Sequence, residues 1–252
     1  MIRAGRAGKT LLSPMAHERL DPLTRILSAT AANLARPLYL AAGAALSFFR
    51  RRDPTIDSSQ AAALAGIDKR QWSAALLKQL EWRRFEELCV AYLQALGYQA
   101  KVEPSRAQGG VDIHLTAPGA EGVSLVAQCK AWDAYRVGLK AARELRAAMS
   151  AAGLAKGLLV TSGRFTPEAA AFAGQQNIHL MDGAELLAGI GGLAPEKSAA
   201  LLKFATQGDF LTPTCPGCAL KMISRKSTKD GRKYWGCRNY PRCKHTLVAV
   251  PA

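Results

Sequence analysis

Four cysteines near one end of the chain, Cys215, Cys218, Cys237 and Cys243, have the spacing of a metal site. Two cysteines two apart on a tight turn, Cys215-Pro216-Gly217-Cys218, present both thiolates to one ion. A second pair brought in by a hairpin completes a tetrahedral zinc shell. So short a segment buries little core, and the bound metal supplies the missing folding energy. A second constellation lies mid-chain, where Asp112 interrupts an apolar run and Gln128 and Lys130 close another. A carboxylate, an amide oxygen and an ammonium group brought together would suit a divalent metal, a water and a scissile phosphate. Asp112 would hold Mg²⁺ or Mn²⁺, Gln128 would add an oxygen ligand or orient the water, and Lys130 would offset developing negative charge. Read alone, the same residues also fit a solvated sheet edge.

These side chains need elements to position them. Phe85, Leu88, Cys89, Tyr92, Leu93 and Leu96 form one apolar stripe at helical spacing, ended by Gly97. Three strand-like runs follow, over 98–103, 111–116 and 123–130. On the third, Gln128 and Lys130 share a face and Cys129 points the opposite way. If the second and third strands pair, Asp112 converges with them at one end of the sheet. A helix over 137–152, a wholly apolar strand over 157–161 and a helix capped by Thr166 and Pro167 come next. A last strand over 178–181 leads into a helix around 184–187. This order predicts an α/β domain whose mixed sheet is flanked by helices on both faces.

Charge indicates the partner. The 252 residues hold 34 Lys and Arg against 19 Asp and Glu, a net +15. Residues 215–245 carry nine basic side chains and one acid, and residues 1–53 nine and three, so the middle is nearly neutral. Such an excess points to a polyanion, nucleic acid or an anionic membrane surface. In the cysteine segment, Lys221, Arg225, Arg232, Lys233, Arg238, Arg242 and Lys244 surround Tyr234, Trp235 and Tyr240. That mixture stacks bases while neutralising phosphates, although Trp235 or Tyr240 could instead pack the small core. Cys89 and Cys129, alone in apolar contexts, read as buried small hydrophobes. The pattern is not a secreted disulfide framework, and the expected setting is a reducing cytoplasm, at the nucleoid.

Two resemblances sharpen these readings. Cys215-Pro216-Gly217-Cys218 and the run Tyr234-Trp235-Gly236-Cys237-Arg238-Asn239-Tyr240-Pro241-Arg242-Cys243-Lys244 resemble the zinc ribbons of bacterial type IA topoisomerases. That implies one Zn²⁺ and binding to single-stranded or distorted DNA. Trp82-Arg83-Arg84-Phe85-Glu86, Leu96-Gly97-Tyr98, Gly109-Gly110-Val111-Asp112, Gln128-Cys129-Lys130-Ala131-Trp132, Arg143-Glu144-Leu145, Gly157-Leu158-Leu159-Val160-Thr161 and Phe165-Thr166-Pro167-Glu168-Ala169 follow in order. Together they resemble the Mrr-type restriction endonucleases, a branch of the PD-(D/E)XK nucleases. The resemblance implies a restriction-endonuclease-like fold and hydrolysis of DNA phosphodiesters with Asp112, Gln128 and Lys130 as the catalytic set. It also implies that Glu86, on the first helix, is a supporting acid beside the metal.

The expected organisation is a basic arm over 1–53, a linker and helix over 54–78, the nuclease-like domain over 79–192, a linker over 193–212 and the ribbon over 213–249. An apolar run over 37–49 is too short to span a bilayer, and extending it to 26–49 buries Arg36 and Pro37. Three readings stay open: a metal-dependent endonuclease of modified or foreign DNA, a non-cleaving DNA-binding scaffold, and a membrane-tethered DNA-processing factor. A double-strand cut needs two active sites, which adds a homodimer to the expectations.

Overall fold

The computed structural model describes residues 68–104, 111–131 and 136–248, all within the unit Ala41–Ala252. The basic arm with its membrane option, Gly109-Gly110 and Trp132 lie outside the described residues. Helix α1 (Ala74–Gln79) and helix α2 (Trp82–Ala95) lead into strands β1 (Gln99–Pro104), β2 (Val111–Thr116) and β3 (Leu125–Lys130). The two-residue strand β4 (Arg136–Val137), helix α3 (Leu139–Ala151), strand β5 (Gly157–Thr161) and the short β6 (Arg164–Phe165) follow. Then come helix α4 (Pro167–Gln175), strand β7 (Ile178–Met181), helix α5 (Gly183–Gly191) and helix α6 (Pro195–Thr206). The last three strands are β8 (Ile223–Lys226), β9 (Lys233–Gly236) and β10 (Thr246–Val248).

The main sheet has the order β1-β2-β3-β5-β7. Its first three strands run antiparallel, and β3, β5 and β7 run parallel. The domain is thus the mixed, helix-flanked α/β sheet expected from the sequence. Strand parity shows which helices cover which face. Val126 packs with Leu159 against Ala141, Ala142, Leu145 and Met149 of α3. Cys129, three residues on, points the other way and meets Cys89 of α2. Both faces of β5 are therefore covered, and all five of its residues are buried.

Local signals explain the boundaries. Gly97, at φ +96°, stops α2 in a conformation that side chains avoid. The Thr166 hydroxyl accepts from Ala169 N–H and caps α4, with Pro167 at its start. A Cβ at Gly189 would collide with Tyr92, so a glycine there lets α5 lie against α2. The stretch expected to be a linker, 193–212, instead contains α6, which packs against α2 and α5. Its apolar positions are diluted by Ala, Lys and Ser, which hid the helical period. After α6 the chain turns through Asp209, whose carboxylate accepts from Leu211 and Thr212 N–H, and buries the Phe210 ring completely.

Candidate functional site

Strand pairing builds the first site. Asp112 lies directly opposite Gln128 in the β2–β3 register. Gln128 is buried, and Lys130, two residues on and on the same face, is only partly covered. This face looks onto α3. There Lys130 Nζ donates to Glu144 Oε2 at 3.3 Å, and Glu144 Oε1 lies 3.9 Å from Lys140 Nζ. Helix α3 aims Glu144 at the strand end because its neighbours Ala141, Ala142 and Leu145 are held in the core. The strand ends are tied together as well. Thr161 Oγ1 donates to the Lys130 carbonyl at 2.8 Å, and Ser162 Oγ donates to that of Ala131 at 3.1 Å.

Glu86 lies on α2, across the sheet from the face of Gln128 and Lys130, and is 8% exposed. Burial, reinforced by the charge of Glu81, pushes its carboxyl up to about 8, against the pull of Arg83 and Lys130. Lys130 thus influences Glu86 through space, whereas its direct partner is Glu144. Glu144 carried no role in the sequence reading. The clue was an acid on the polar flank of a helix that crosses the Gln-Cys-Lys strand. Carboxylate and amide oxygens are the donors that Mg²⁺ or Mn²⁺ takes, so the donor types around this sheet end fit such an ion.

The second site is the cysteine cluster. The Sγ atoms of Cys215, Cys218, Cys237 and Cys243 all lie within 4.8 Å of one another. Cys215 and Cys243 are 3.6 Å apart, and Cys218 and Cys237 are 3.3 Å apart. Tetrahedral Zn–S bonds would place the sulfurs about 3.8 Å apart, so the cage fits zinc. Backbone N–H groups of Leu220 and His245 hold the Cys218 and Cys243 thiols below their usual range. Burial pushes Cys215 and Cys237 up, the opposition that a divalent cation would overcome.

The antiparallel sheet β10-β9-β8 carries Arg225, Lys233, Tyr234 and Trp235, and the turns beside its strands carry Arg232, Arg238, Tyr240, Arg242 and Lys244. Arg225, Arg232, Lys233, Arg238, Arg242, Lys244 and Tyr240 are exposed, Tyr240 by 64%. Tyr234, partly covered, lies opposite Arg225 in register. Trp235 packs on the core made by Cys215, Met222 and Cys237, as its alternative reading had it.

Lys221 departs from the expected DNA-contacting set. Its Nζ lies 3.0 Å from Glu81 Oε1 and also donates to the Thr212 carbonyl at 2.8 Å. An ammonium held by a buried carboxylate is committed to the fold rather than offered to a phosphate. Glu81 also accepts from Thr214 Oγ1 at 2.8 Å, Thr214 N–H at 3.1 Å and Arg83 N–H at 3.1 Å, which makes it the N-cap of α2. Trp82 Nε1 donates to the Thr214 carbonyl at 2.8 Å. The ribbon is therefore bonded to the start of α2. An acid immediately before a helical stripe was the available signal for the cap. Its partners, more than a hundred residues away, left no local trace.

A mixed sheet flanked by helices, followed by a four-cysteine hairpin, defines a restriction-endonuclease-like domain joined to a zinc ribbon. Residues 77–190 match the family described as restriction endonuclease, and 212–251 match the topoisomerase DNA-binding C4 zinc finger. Each of these matches covers less than half of the chain. No curated protein matches it significantly. Among solved structures it is similar to EndoMS in apo form, at 15% identity and TM-score 0.31, over 44% of this chain and 46% of that one. It is also similar to the MspJI restriction endonuclease in complex with a 27-mer oligonucleotide, at 19% identity and TM-score 0.33, over 65% and 39% of the chains. The DNA modification-dependent restriction endonuclease AspBHI is similar at 15% and 0.36, over 61% and 43%. The match to EndoMS spans less than half of that protein's length. Among the described residues, no helix is long and apolar enough to cross a membrane.

Proposed function

We propose that this protein is a divalent-metal-dependent DNA endonuclease that hydrolyses phosphodiester bonds, in restriction of modified or foreign DNA or in DNA processing. The observation that carries the reading is the β2–β3 register, which sets Asp112 opposite Gln128, two residues before Lys130 at the strand end. Asp112 and Gln128 would hold Mg²⁺ or Mn²⁺; Glu86, expected from the sequence beside the metal, lies across the sheet and would support the site through its charge, which Lys130 feels. When bound, the ion polarises the phosphate and acidifies water. Lys130 offsets negative charge developing on the phosphate, and Glu144 holds the lysine's ammonium in position. The ribbon, with one Zn²⁺, contributes Arg225, Arg232, Lys233, Arg238, Arg242, Lys244, Tyr234 and Tyr240 to DNA contact. Because its root is bonded to α2, it presents DNA from a fixed position rather than from a flexible tether.

Plasmid cleavage by purified full-length protein tests this. Methylated and unmethylated DNA would be compared, with Mg²⁺, with Mn²⁺ and without either, alongside Lys130→Ala. Metal-dependent nicking or cutting that is lost in Lys130→Ala is expected. Folded protein that shifts DNA but never cuts it would replace the reading with a non-cleaving DNA-binding scaffold.

A further inference from the structure

Beside the main sheet stands a separate, two-stranded parallel sheet, β4-β6. Strands β4 and β6 place Arg136 beside Arg164 and Val137 beside Phe165. Val137 is buried and Phe165 partly so, both packed against the core under α3 and α4. Alternation turns the two arginines outward, and both are exposed.

Like charges on adjacent strands repel, and a structural pair would normally carry opposite signs. Among the described residues, neither arginine has an ion-pair partner within 4.0 Å. The carboxyl of Glu168, in the first turn of α4, is held below its usual range by its own backbone N–H and by Thr166. Arg136 is only a lesser cause. Two guanidinium groups are thus kept together, facing out, with no carboxylate among the described residues paired to either.

Their location gives the pair a use. Lys130 and Thr161 are register partners, and Arg164 follows Thr161 by three residues, at most about 10 Å of chain. A DNA strand advances about 3.4 Å per nucleotide, so the arginines lie within a few phosphates of the Lys130 end of the sheet. Thr166 N–H donates to the Val137 carbonyl at 3.0 Å, which fixes the small pair to α4.

We propose that Arg136 and Arg164 form a phosphate clamp on the nuclease domain. It grips the DNA backbone a few nucleotides from the scissile bond, separately from the ribbon. The proposal rests on DNA being the substrate of the proposed endonuclease, but its test is read by binding alone.

Affinity for a defined duplex oligonucleotide would be measured across a salt series, with zinc-loaded full-length protein and no added Mg²⁺. Each lost phosphate contact lowers the slope of log K against log salt by about 0.9. The Arg136→Gln/Arg164→Gln double variant is expected to lose close to two units of slope and to bind roughly 10–100-fold more weakly at low salt. Arg136→Lys/Arg164→Lys should keep most of the slope, because it keeps the charge. An unchanged slope and affinity in the Gln variant, with a wild-type melting profile, would overturn the clamp. Loss of the slope in both variants would overturn it too, because the charge would then not be the cause. Absence of cleavage would count against the endonuclease reading alone.

Discussion

Glu81 Oε1 and Lys221 Nζ lie 3.0 Å apart, and this ion pair joins the cap of the first long helix of the nuclease-like domain to the zinc ribbon. The carboxylate side chain is 3% exposed and the lysine side chain 19%. Such a pair contributes little net stability while intact, because removing both charges from water offsets their attraction. Breaking it is costly, because one charge stays buried alone.

Lys221→Ala is therefore expected to destabilise the protein by about 3 kcal/mol. For a domain of this size that is a fall in Tm of roughly 6–12 °C. Glu81→Gln added to Lys221→Ala should recover part of the loss, because the stranded charge is gone. The salt dependence of DNA binding should not change. Thermal unfolding and DNA titration check the two halves, and a weakened salt slope with unchanged Tm would return Lys221 to the DNA-contacting set.

Zinc should matter beyond the ribbon. Cys237→Ser removes one thiolate from the cage, and zinc content should fall below one ion per chain. The bonds from Glu81 and Trp82 to Thr214 carry the effect of zinc loss beyond the ribbon. The expected result is weaker DNA binding together with a lower melting transition for the nuclease domain. Metal analysis combined with calorimetry reads both, and equal zinc in mutant and wild type would remove the ribbon assignment.

Lys130→Ala should abolish cleavage while DNA binding stays near wild type. Glu144→Gln should act more mildly, lowering the cleavage rate about 10–100-fold, the usual cost of losing a residue that orients a site group. Single-turnover kinetics at saturating DNA separates these effects from binding. A Glu144→Gln protein that melts early but cuts at the wild-type rate would make the glutamate a structural partner only.

Short-range patterns in the sequence carried most of the elements. The stripe Phe85, Leu88, Cys89, Tyr92, Leu93 became α2, and the alternation of 111–116 became β2. The pairing of Asp112 with Gln128 followed from adjacent strands joined by a short connection. What escaped was long-range. Glu144 meets Lys130 only because α3 crosses the sheet, and Lys221 meets Glu81 across 140 positions of chain. The β4–β6 pair is two residues deep on each side, too short to show any period. Charge type was legible in the basic ribbon, but which cation faces solvent and which is spent inside depends on the folded contact.

Glu86 gives a pH signature with a definite sign. Its carboxyl is raised from an ordinary 4.5 to about 8, chiefly by burial. Between those values the unfolded chain has ionised the residue while the folded protein still holds the proton. The native state then binds more protons, so this residue's contribution to stability falls as pH rises through the window and levels off above about 8. The whole effect is on the order of a few kcal/mol. Glu86→Gln stays neutral throughout and lacks that fall, so its stability relative to wild type should increase steadily from pH 5 to 8. Urea unfolding of both proteins, zinc-loaded and free of Mg²⁺, measures the difference. A flat stability difference from pH 5 to 9 would mean that Glu86 titrates as an ordinary surface acid, and the burial argument for its role would fail.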